Sequence, residues 1–168
     1  MILKDKDGNL SYMDFGEFDE ANCFQVEKIR LYERLKGKGF KVVEFVLHRP
    51  ETNELLFIEA KTSLAKQFED NMPEICKKFM DSLQLIGGIW FGEYNAKVEL
   101  PDNKESFLAY GTQIVFILVV KNLRSKPQAV AECIKQKLKR EHLLWRFKIW
   151  VMNEATAVKA KLVIVRES

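Results

Sequence analysis

The sequence predicts an α/β domain in which a mixed central β-sheet is flanked by helices. Two neighbouring runs within residues 41–63 are rich in branched and aromatic residues, and a polar turn at Pro50 and Asn53 separates them, as in paired strands. A third run, residues 114–120, is continuously apolar, which indicates a strand buried on both faces. Segments with helical spacing separate these runs, an order typical of α/β proteins.

Length and composition fit one domain. The chain has 168 residues, of which 47% are hydrophobic, enough for a single core. The net charge of +3 permits nucleic-acid binding without requiring it. The cysteines, Cys23, Cys76 and Cys133, are widely spaced, which predicts reduced thiols and no zinc site. No segment resembles a signal peptide or a membrane span, so we expect a cytoplasmic protein.

The single domain is expected to have three parts. Residues 1–17 form an N-terminal β-hairpin around a Lys-Asp-Gly-Asn turn. Residues 18–121 form the core, which includes a strand over residues 107–121. Residues 122–168 add a C-terminal extension of a helix, a strand at residues 145–151 and a tail with a short helix and a final extended run.

Helical spacing of apolar residues predicts three longer helices, at about residues 19–36, 71–86 and 127–144. The second opens with Asn-Met-Pro-Glu, typical of a helix start, and Gly87 and Gly88 are expected to close or kink it. The third exposes four basic residues, Lys135, Lys137, Lys139 and Arg140. These either contact the phosphates of a nucleic acid or form a solvated face.

Charged residues interrupt the apolar faces of the two neighbouring strands. By the period of two, Glu59 and Lys61 project from the face that also carries Leu55 and Phe57. Glu44 projects between branched residues of the preceding strand. Such charges must be paired, hydrated or bound to a metal ion, because a lone buried charge is very costly. The end of the second strand is therefore a candidate site.

A Glu-x-Lys sequence at the end of one central strand, with an acidic residue on the neighbouring strand, resembles the PD-(D/E)xK nuclease superfamily. The resemblance covers roughly residues 19–120 and implies a restriction-endonuclease-like core. It implies that Glu44, Glu59 and Lys61 are catalytic in metal-dependent hydrolysis of nucleic-acid phosphodiesters, with Mg²⁺ or Mn²⁺ as cofactor. Many nucleases of this fold are dimers, so a homodimer is also implied.

The resemblance implies two accessory residues. Glu27 lies on the apolar stripe of the first predicted helix, where many members of the superfamily carry a carboxylate that reaches the metal. It would join Glu44 and Glu59 as a metal ligand, or else its carboxylate lies in solvent at the edge of the stripe. Gln67, which follows the motif, would be a further polar group near the site.

The chain departs from the family pattern in two respects. Glu44 stands where Asp is usual, and the longer side chain shifts the carboxylate by about 1.5 Å, which weakens or removes metal binding. The family has three strands between its two helices, whereas only two are visible here. Either residues 40–47 form one long bent strand or the N-terminal hairpin supplies the third.

Two other interpretations stay open. Glu59 and Lys61 could form an ordinary ion pair at a strand end, worth about 0 to 1 kcal/mol, in an α/β domain unrelated to nucleases. Alternatively, a nuclease-derived fold has lost its activity and is now a non-catalytic module that binds a protein or a nucleic acid. The sequence does not distinguish DNA from RNA as a partner.

Overall fold

The computed structural model describes residues 14–15, 18–92, 100, 107, 109 and 111–164 and confirms the predicted α/β class. In chain order the strands are β1 Asp14–Phe15, β2 Cys23–Phe24, β3 Phe45–Arg49, β4 Glu54–Lys61, β5 Gln113–Val120, β6 Lys148–Asn153 and β7 Val163–Ile164. The helices are α1 Arg30–Lys36, α2 Met72–Phe91, α3 Pro127–Lys137, α4 Lys139–Trp145 and α5 Glu154–Lys159. Short 3₁₀ turns cover Val26–Lys28 and Phe68–Asn71.

The main sheet has five strands in the order β2-β3-β4-β5-β6. β3 is antiparallel to both of its neighbours, β2 and β4. β4, β5 and β6 run parallel. The predicted turn joins β3 to β4, and Asn53 there adopts a left-handed conformation with φ 51°. β4 is therefore the central strand, as its apolar sequence predicted, and β1 and β7 pair in a separate two-stranded sheet.

Each face of the main sheet contributes to a separate hydrophobic cluster. Alternate residues of β4, such as Leu55 and Phe57, pack under α1, α2 and α3. The residues between them, such as Leu56 and Ile58, pack with α5 and the β1–β7 sheet on the other face. The period of two places Glu59 on the face covered by α2. Burial on both faces explains why β4 and β5 read as continuous apolar runs.

Helix α2 is bonded to the segment that leads into β3. The Lys41 amide donates to Asp81 Oδ2 at 2.9 Å, and the Val43 amide donates to the buried Ser82 Oγ at 2.9 Å. These bonds satisfy two backbone donors that no strand partner reaches. They also fix the chain just before Glu44, the residue that precedes β3.

The predicted helix over residues 19–36 is wrong in its first half. Cys23 and Phe24 pair with Leu47 and Val46 as the edge strand β2, and the regular helix begins only at Arg30. Gln25 and Ile29 have extended backbone angles, so the segment between them is a single 3₁₀ turn. Phe24 had suggested the start of a helical stripe, but its neighbours also suit a strand.

The third antiparallel strand is supplied by neither of the two predicted sources. It is β2, which precedes α1 in the chain, so the order here is strand, helix, strand, strand. The nuclease superfamily places its first helix before all three strands. Within the described residues, only two strands therefore lie between α1 and α2, and the order of the first strand and the first helix differs from the family pattern.

Four other boundaries differ from the prediction. The strand predicted over residues 107–121 begins at Gln113. α2 passes through Gly87 and Gly88 without stopping and ends at Phe91. The predicted helix over residues 127–144 divides into α3 and α4, because Leu138 leaves the helical conformation at φ −101° and ψ 25°. The strand predicted at residues 145–151 begins at Lys148, after Arg146 turns the chain with φ 49°. The short helix and extended run of the tail are confirmed as α5 and β7.

Some predicted structure lies outside the described residues. This applies to the N-terminal hairpin up to residue 13. In the part of the chain that the structure describes, no helix is long and apolar enough to cross a membrane. The described cysteines, Cys23, Cys76 and Cys133, are free thiols.

Candidate functional site

A cluster of charged side chains lies at the carboxyl end of β4, on the face covered by α2. Glu59 and Lys61 project from the same face, as predicted, and meet two residues of α2, Glu74 and Lys78. Glu74 and Lys78 are four residues apart and so lie on one side of the helix. We call the group of Glu59 and its charged neighbours the Glu59 cluster, with members Lys41, Glu44, Glu59, Lys61, Glu74 and Lys78.

Glu59 is the most buried member of the cluster, with 0% of its surface exposed. Its Oε1 atom lies 2.7 Å from Lys78 Nζ and 3.4 Å from Lys61 Nζ. Its Oε2 atom is also buried and has no hydrogen-bond partner among the described residues. An unsatisfied carboxylate oxygen in the interior is costly, so its persistence requires an explanation beyond packing.

Lys78 connects Glu59 to the second carboxylate that the sequence singled out. Its ammonium nitrogen lies 2.7 Å from Glu59 Oε1 and 3.7 Å from Glu44 Oε1. The side chain of Lys78 is 16% exposed and that of Glu44 is 26% exposed. Glu44 and Glu59 therefore flank one position for a cation, which the ammonium group of Lys78 occupies.

The outer part of the cluster is nearer to solvent. Lys61 Nζ also lies 3.4 Å from Glu74 Oε1, and Lys41 Nζ lies 3.5 Å from Glu74 Oε2. The cluster as a whole contains three carboxylates and three ammonium groups, so its formal charges balance. Lys61, 26% exposed, lies between the buried Glu59 and the half-exposed Glu74.

Burial and charge act in opposite directions on the titration of these groups. Burial raises the pKa of the Glu59 carboxyl above its usual 4.5, against the opposing effects of Lys78 and Lys61. Burial, the largest single influence, lowers the pKa of Lys78, but the carboxylates of Glu59, Glu44 and Glu74 together outweigh burial, so the pKa is raised. At the exposed edge, Lys61 lowers the pKa of Glu74. Carboxyl groups whose pKa values are shifted in opposite directions within one cluster are typical of functional sites.

The structure does not bring all the predicted site residues together. Glu27 lies in the 3₁₀ turn before α1, and Gln67 lies exposed before the second 3₁₀ turn. Among the described residues, no group of three or more His, Cys, Asp or Glu side chains is placed to hold a metal ion. Glu27 therefore does not complete a three-carboxylate ligand set with Glu44 and Glu59.

The four basic residues of α3 and α4 are not part of the Glu59 cluster. Lys135 lines a cavity together with Phe147 and Lys148, at the start of β6. Lys61 lies at the opposite end of the parallel strands, where β5 ends at Val120. A nucleic acid bound at Lys135 would thus lie at the other end of the strands, whereas Lys137 is close enough to Cys76 of α2 to oppose the rise that burial causes in the pKa of its thiol.

Sequence analysis missed Lys78 and Glu74, although the sequence carries a signal for both. Glu74 directly precedes the buried Ile75, and Lys78 directly precedes the buried Phe79. Their spacing of four residues places a carboxylate and an ammonium side by side on the helix. Because the apolar stripe of α2 packs on the sheet, Glu74 and Lys78 beside that stripe lie near the end of a strand. The strand end in question carries Glu59 and Lys61.

The chain was compared with protein-family models, with curated proteins and with solved structures, and no match was found in any of the three comparisons. The Glu59 cluster itself is therefore the basis on which a function can be inferred. Its distinguishing properties are two carboxylates around one cation position, a buried unbonded oxygen and a lysine at the rim.

Proposed function

We propose that this protein hydrolyses phosphodiester bonds of nucleic acid with a divalent metal ion at the Glu59 cluster, as the PD-(D/E)xK resemblance implies. The observation that carries the proposal is the cation position flanked by Oε1 of Glu44 and Oε1 of Glu59. The other oxygen of Glu59, Oε2, is buried without a partner among the described residues. An ordinary ion pair at a strand end has neither a second carboxylate nor an orphaned oxygen.

The residues present fit Mg²⁺ or Mn²⁺ in one specific way. Mg²⁺ commonly takes one or two protein carboxylates and completes its shell with waters and substrate phosphate oxygens. Glu44 and Glu59 supply two carboxylates, and Glu59 Oε2 lacks a hydrogen bond that would compete. Lys78 Nζ lies close to both carboxylates, so the ammonium has to withdraw before a metal ion enters. In this proposal the metal ion would bind two protein carboxylates, and waters and substrate phosphate oxygens would supply its remaining ligands.

Each residue of the chain has a separate task in this proposal. Glu44 and Glu59 would hold the metal ion, which supplies the Lewis acidity that activates water and offsets charge on the phosphate. Lys61 is held at 3.4 Å by both Glu59 and Glu74, so its ammonium is fixed at the rim where a phosphate would approach. The bonds from Lys41 and Val43 to α2 keep Glu44 in register with β4.

The proposal is tested by calorimetric titration with Mn²⁺ and by cleavage of labelled DNA and RNA, in the wild type and in Glu59→Gln. We expect Glu59→Gln to lose metal binding and to lower any Mn²⁺-dependent cleavage by about 10²-fold or more, since metal assistance is worth several kcal/mol. The wild type with EDTA should show no cleavage.

Glu54→Gln is the matched control for this experiment. Glu54 is a buried glutamate of the same strand, but it lies at the opposite end and bonds to Thr52 Oγ1 at 2.9 Å. It should bind Mn²⁺ and cleave like the wild type. Equal losses in both variants would show a general effect on folding, and cleavage that persists in EDTA would contradict the proposal.

One observation favours a second candidate, a nuclease-derived binding module without activity. Lys78 already neutralises Glu59 and Glu44 from within the protein, so the cluster is stable without a metal ion. On this alternative, Glu59 and Lys61 are structural, and the partner is a protein or a nucleic acid. It predicts no metal binding in any variant and partner affinity that is the same with and without EDTA.

A further inference from the structure

A cavity of about 460 Å³ lies beside the Glu59 cluster, between the chain segments that leave β4 and β5. Because these strands are parallel neighbours, both segments emerge at the same edge of the sheet. Two backbone bonds hold them together there, from the Lys121 amide to the Lys61 carbonyl at 3.0 Å and from the Asn122 amide to the Thr62 carbonyl at 2.9 Å. Ligands of open α/β sheets commonly bind at this edge.

The lining of the cavity suits an anion. Five of its residues carry hydrogen-bond donors in their side chains, Ser63, Lys66, Asn122, Arg124 and Ser125, and the remaining lining is apolar. No acidic residue is among the described residues that line it. Within the described chain, Lys66 and Arg124 make no ion pair within 4.0 Å, so their charges are not neutralised by a carboxylate.

One further feature adds positive potential, and another places the cavity next to the Glu59 cluster. Ser125 lies just before α3, whose first turn has no acidic residue, so the positive end of the helix dipole lies near the cavity. Lys61 precedes Ser63 by two residues, which limits their separation along the chain to about 7 Å. The cavity and the Glu59 cluster are therefore adjacent parts of one edge of the sheet.

We propose that this cavity is a phosphate-binding subsite that holds the backbone of a nucleic-acid strand next to the Glu59 cluster. The inference rests on the proposed function and names the part of the surface that positions the substrate. Arg124 and Lys66 each contact a backbone phosphate, from the two opposing segments, and the hydroxyl groups of Ser63 and Ser125 add neutral donors. Such contacts fix the register of a strand without reading its sequence.

The test compares two double variants that change the net charge equally. Lys66→Glu/Arg124→Glu alters the cavity, and Lys135→Glu/Arg140→Glu alters the basic surface at the other end of the strands. Both are assayed in EDTA for binding of a fluorescent DNA duplex and of an RNA of the same sequence, over a series of salt concentrations. All four side chains are exposed, so thermal unfolding should be little changed.

We expect the cavity variant to bind more weakly than the wild type. The slope of log affinity against log salt should become less steep by about 2, which is about 1 for each phosphate contact removed. The variant at Lys135 and Arg140 should keep the wild-type slope. The inference is overturned if the cavity variant keeps the slope, if the other variant loses as much, or if the wild type binds neither probe.

This outcome is separate from the outcome for the proposed function. The binding assay contains no metal ion, so it reports the subsite whether or not the Glu59 cluster cleaves. Loss of binding in the cavity variant together with no Mn²⁺-dependent cleavage in the wild type would support the subsite and contradict hydrolysis. Cleavage that is unaffected in the cavity variant would contradict the subsite alone.

Discussion

The two ends of β4 each hold a buried glutamate, but the two carboxylates have different surroundings. At the amino end, Glu54 Oε2 accepts a hydrogen bond from Thr52 Oγ1 at 2.9 Å, and Oε1 lies 3.8 Å from Lys148 Nζ. At the carboxyl end, Lys78 and Lys61 both approach Oε1 of Glu59, and Oε2 has no bond among the described residues. One carboxylate uses both oxygens, whereas the other uses one.

This difference shows that burial of a charge does not by itself identify a site. Glu54 is 8% exposed, yet a hydrogen bond from Thr52 and an ion pair with Lys148 account for its position. Glu59 shares an ammonium with Glu44 and keeps an oxygen unbonded. The proposed metal site would explain why the Glu59 carboxylate, unlike that of Glu54, is not fully bonded within the protein.

The largest expected difference between the two ends of β4 is in the stability lost when the lysine beside each buried glutamate is replaced. Lys78→Met should lower the free energy of unfolding by about 3 to 5 kcal/mol, because it leaves the buried Glu59 carboxylate with Lys61 as its remaining partner. Lys148→Met should lower it by about 0 to 1 kcal/mol, because that lysine is 51% exposed and 3.8 Å from Glu54. Urea denaturation at neutral pH measures both values.

A double variant distinguishes loss of the pair from damage to packing. Glu59→Gln/Lys78→Met removes both charges of the closest pair and should recover much of the stability that Lys78→Met loses. If the double variant is as unstable as Lys78→Met, the loss comes from the fit of the side chain at position 78. If Lys78→Met and Lys148→Met lower the free energy of unfolding by equally small amounts, Glu59 and Glu54 do not differ in how strongly they depend on a lysine partner.

Much of the framework follows from short-range patterns in the sequence. The period of two in β4 placed Glu59 and Lys61 on one face, and the stripe from Ile75 to Ile86 placed a helix over a sheet. β2 was missed because a strand of two residues has no period of its own. Cys23 and Phe24 become a strand only through pairing with residues 46–47, which are distant in sequence.

The site was partly predictable for the same reason. Two opposite charges on an apolar strand face are visible locally, so Glu59 and Lys61 could be found. Lys78 could not be matched to Glu59 without the angle at which α2 crosses β4, which depends on bonds such as that from Val43 to Ser82. Whether Glu27 reaches the cluster likewise depended on tertiary structure, since one 3₁₀ turn replaces the predicted helix there.

A smaller difference is expected from the hydrogen bonds that support each end. Ser82→Ala removes the acceptor for the Val43 amide, and a buried donor left unbonded costs about 1 to 3 kcal/mol. Thr52→Ala, at the Glu54 end, should cost about 0.5 kcal/mol, because Thr52 is exposed and water replaces its bond.

Chemical denaturation measures both losses, and calorimetry with Mn²⁺ adds a functional readout. Val43 directly precedes Glu44, so Ser82→Ala should also weaken metal binding, whereas Thr52→Ala should leave it unchanged. A Ser82→Ala protein that is destabilised but binds Mn²⁺ normally would show that the bond supports the fold and not the position of Glu44.

The smallest expected effect is a pH dependence of opposite sign within the Glu59 cluster. Because burial raises the pKa of Glu59 above 4.5, the folded protein binds its proton more tightly than the unfolded chain does. Its contribution to stability is therefore full below the unfolded pKa and is lost as the pH rises through the folded pKa. Lys61 lowers the pKa of Glu74, so the contribution of Glu74 is present above the unfolded pKa and is lost as the pH falls.

These signs are measured by subtracting the unfolding free energy of a Gln variant from that of the wild type at each pH from below 4.5 upward. The difference for Glu59→Gln should decrease with rising pH, and the difference for Glu74→Gln should increase. The Glu74 curve serves as the internal control, since both residues contact Lys61. A Glu59 curve that also increases would mean that Lys78 and Lys61 outweigh burial, and Glu59 would then resemble a structural ion pair of the kind that Glu54 forms.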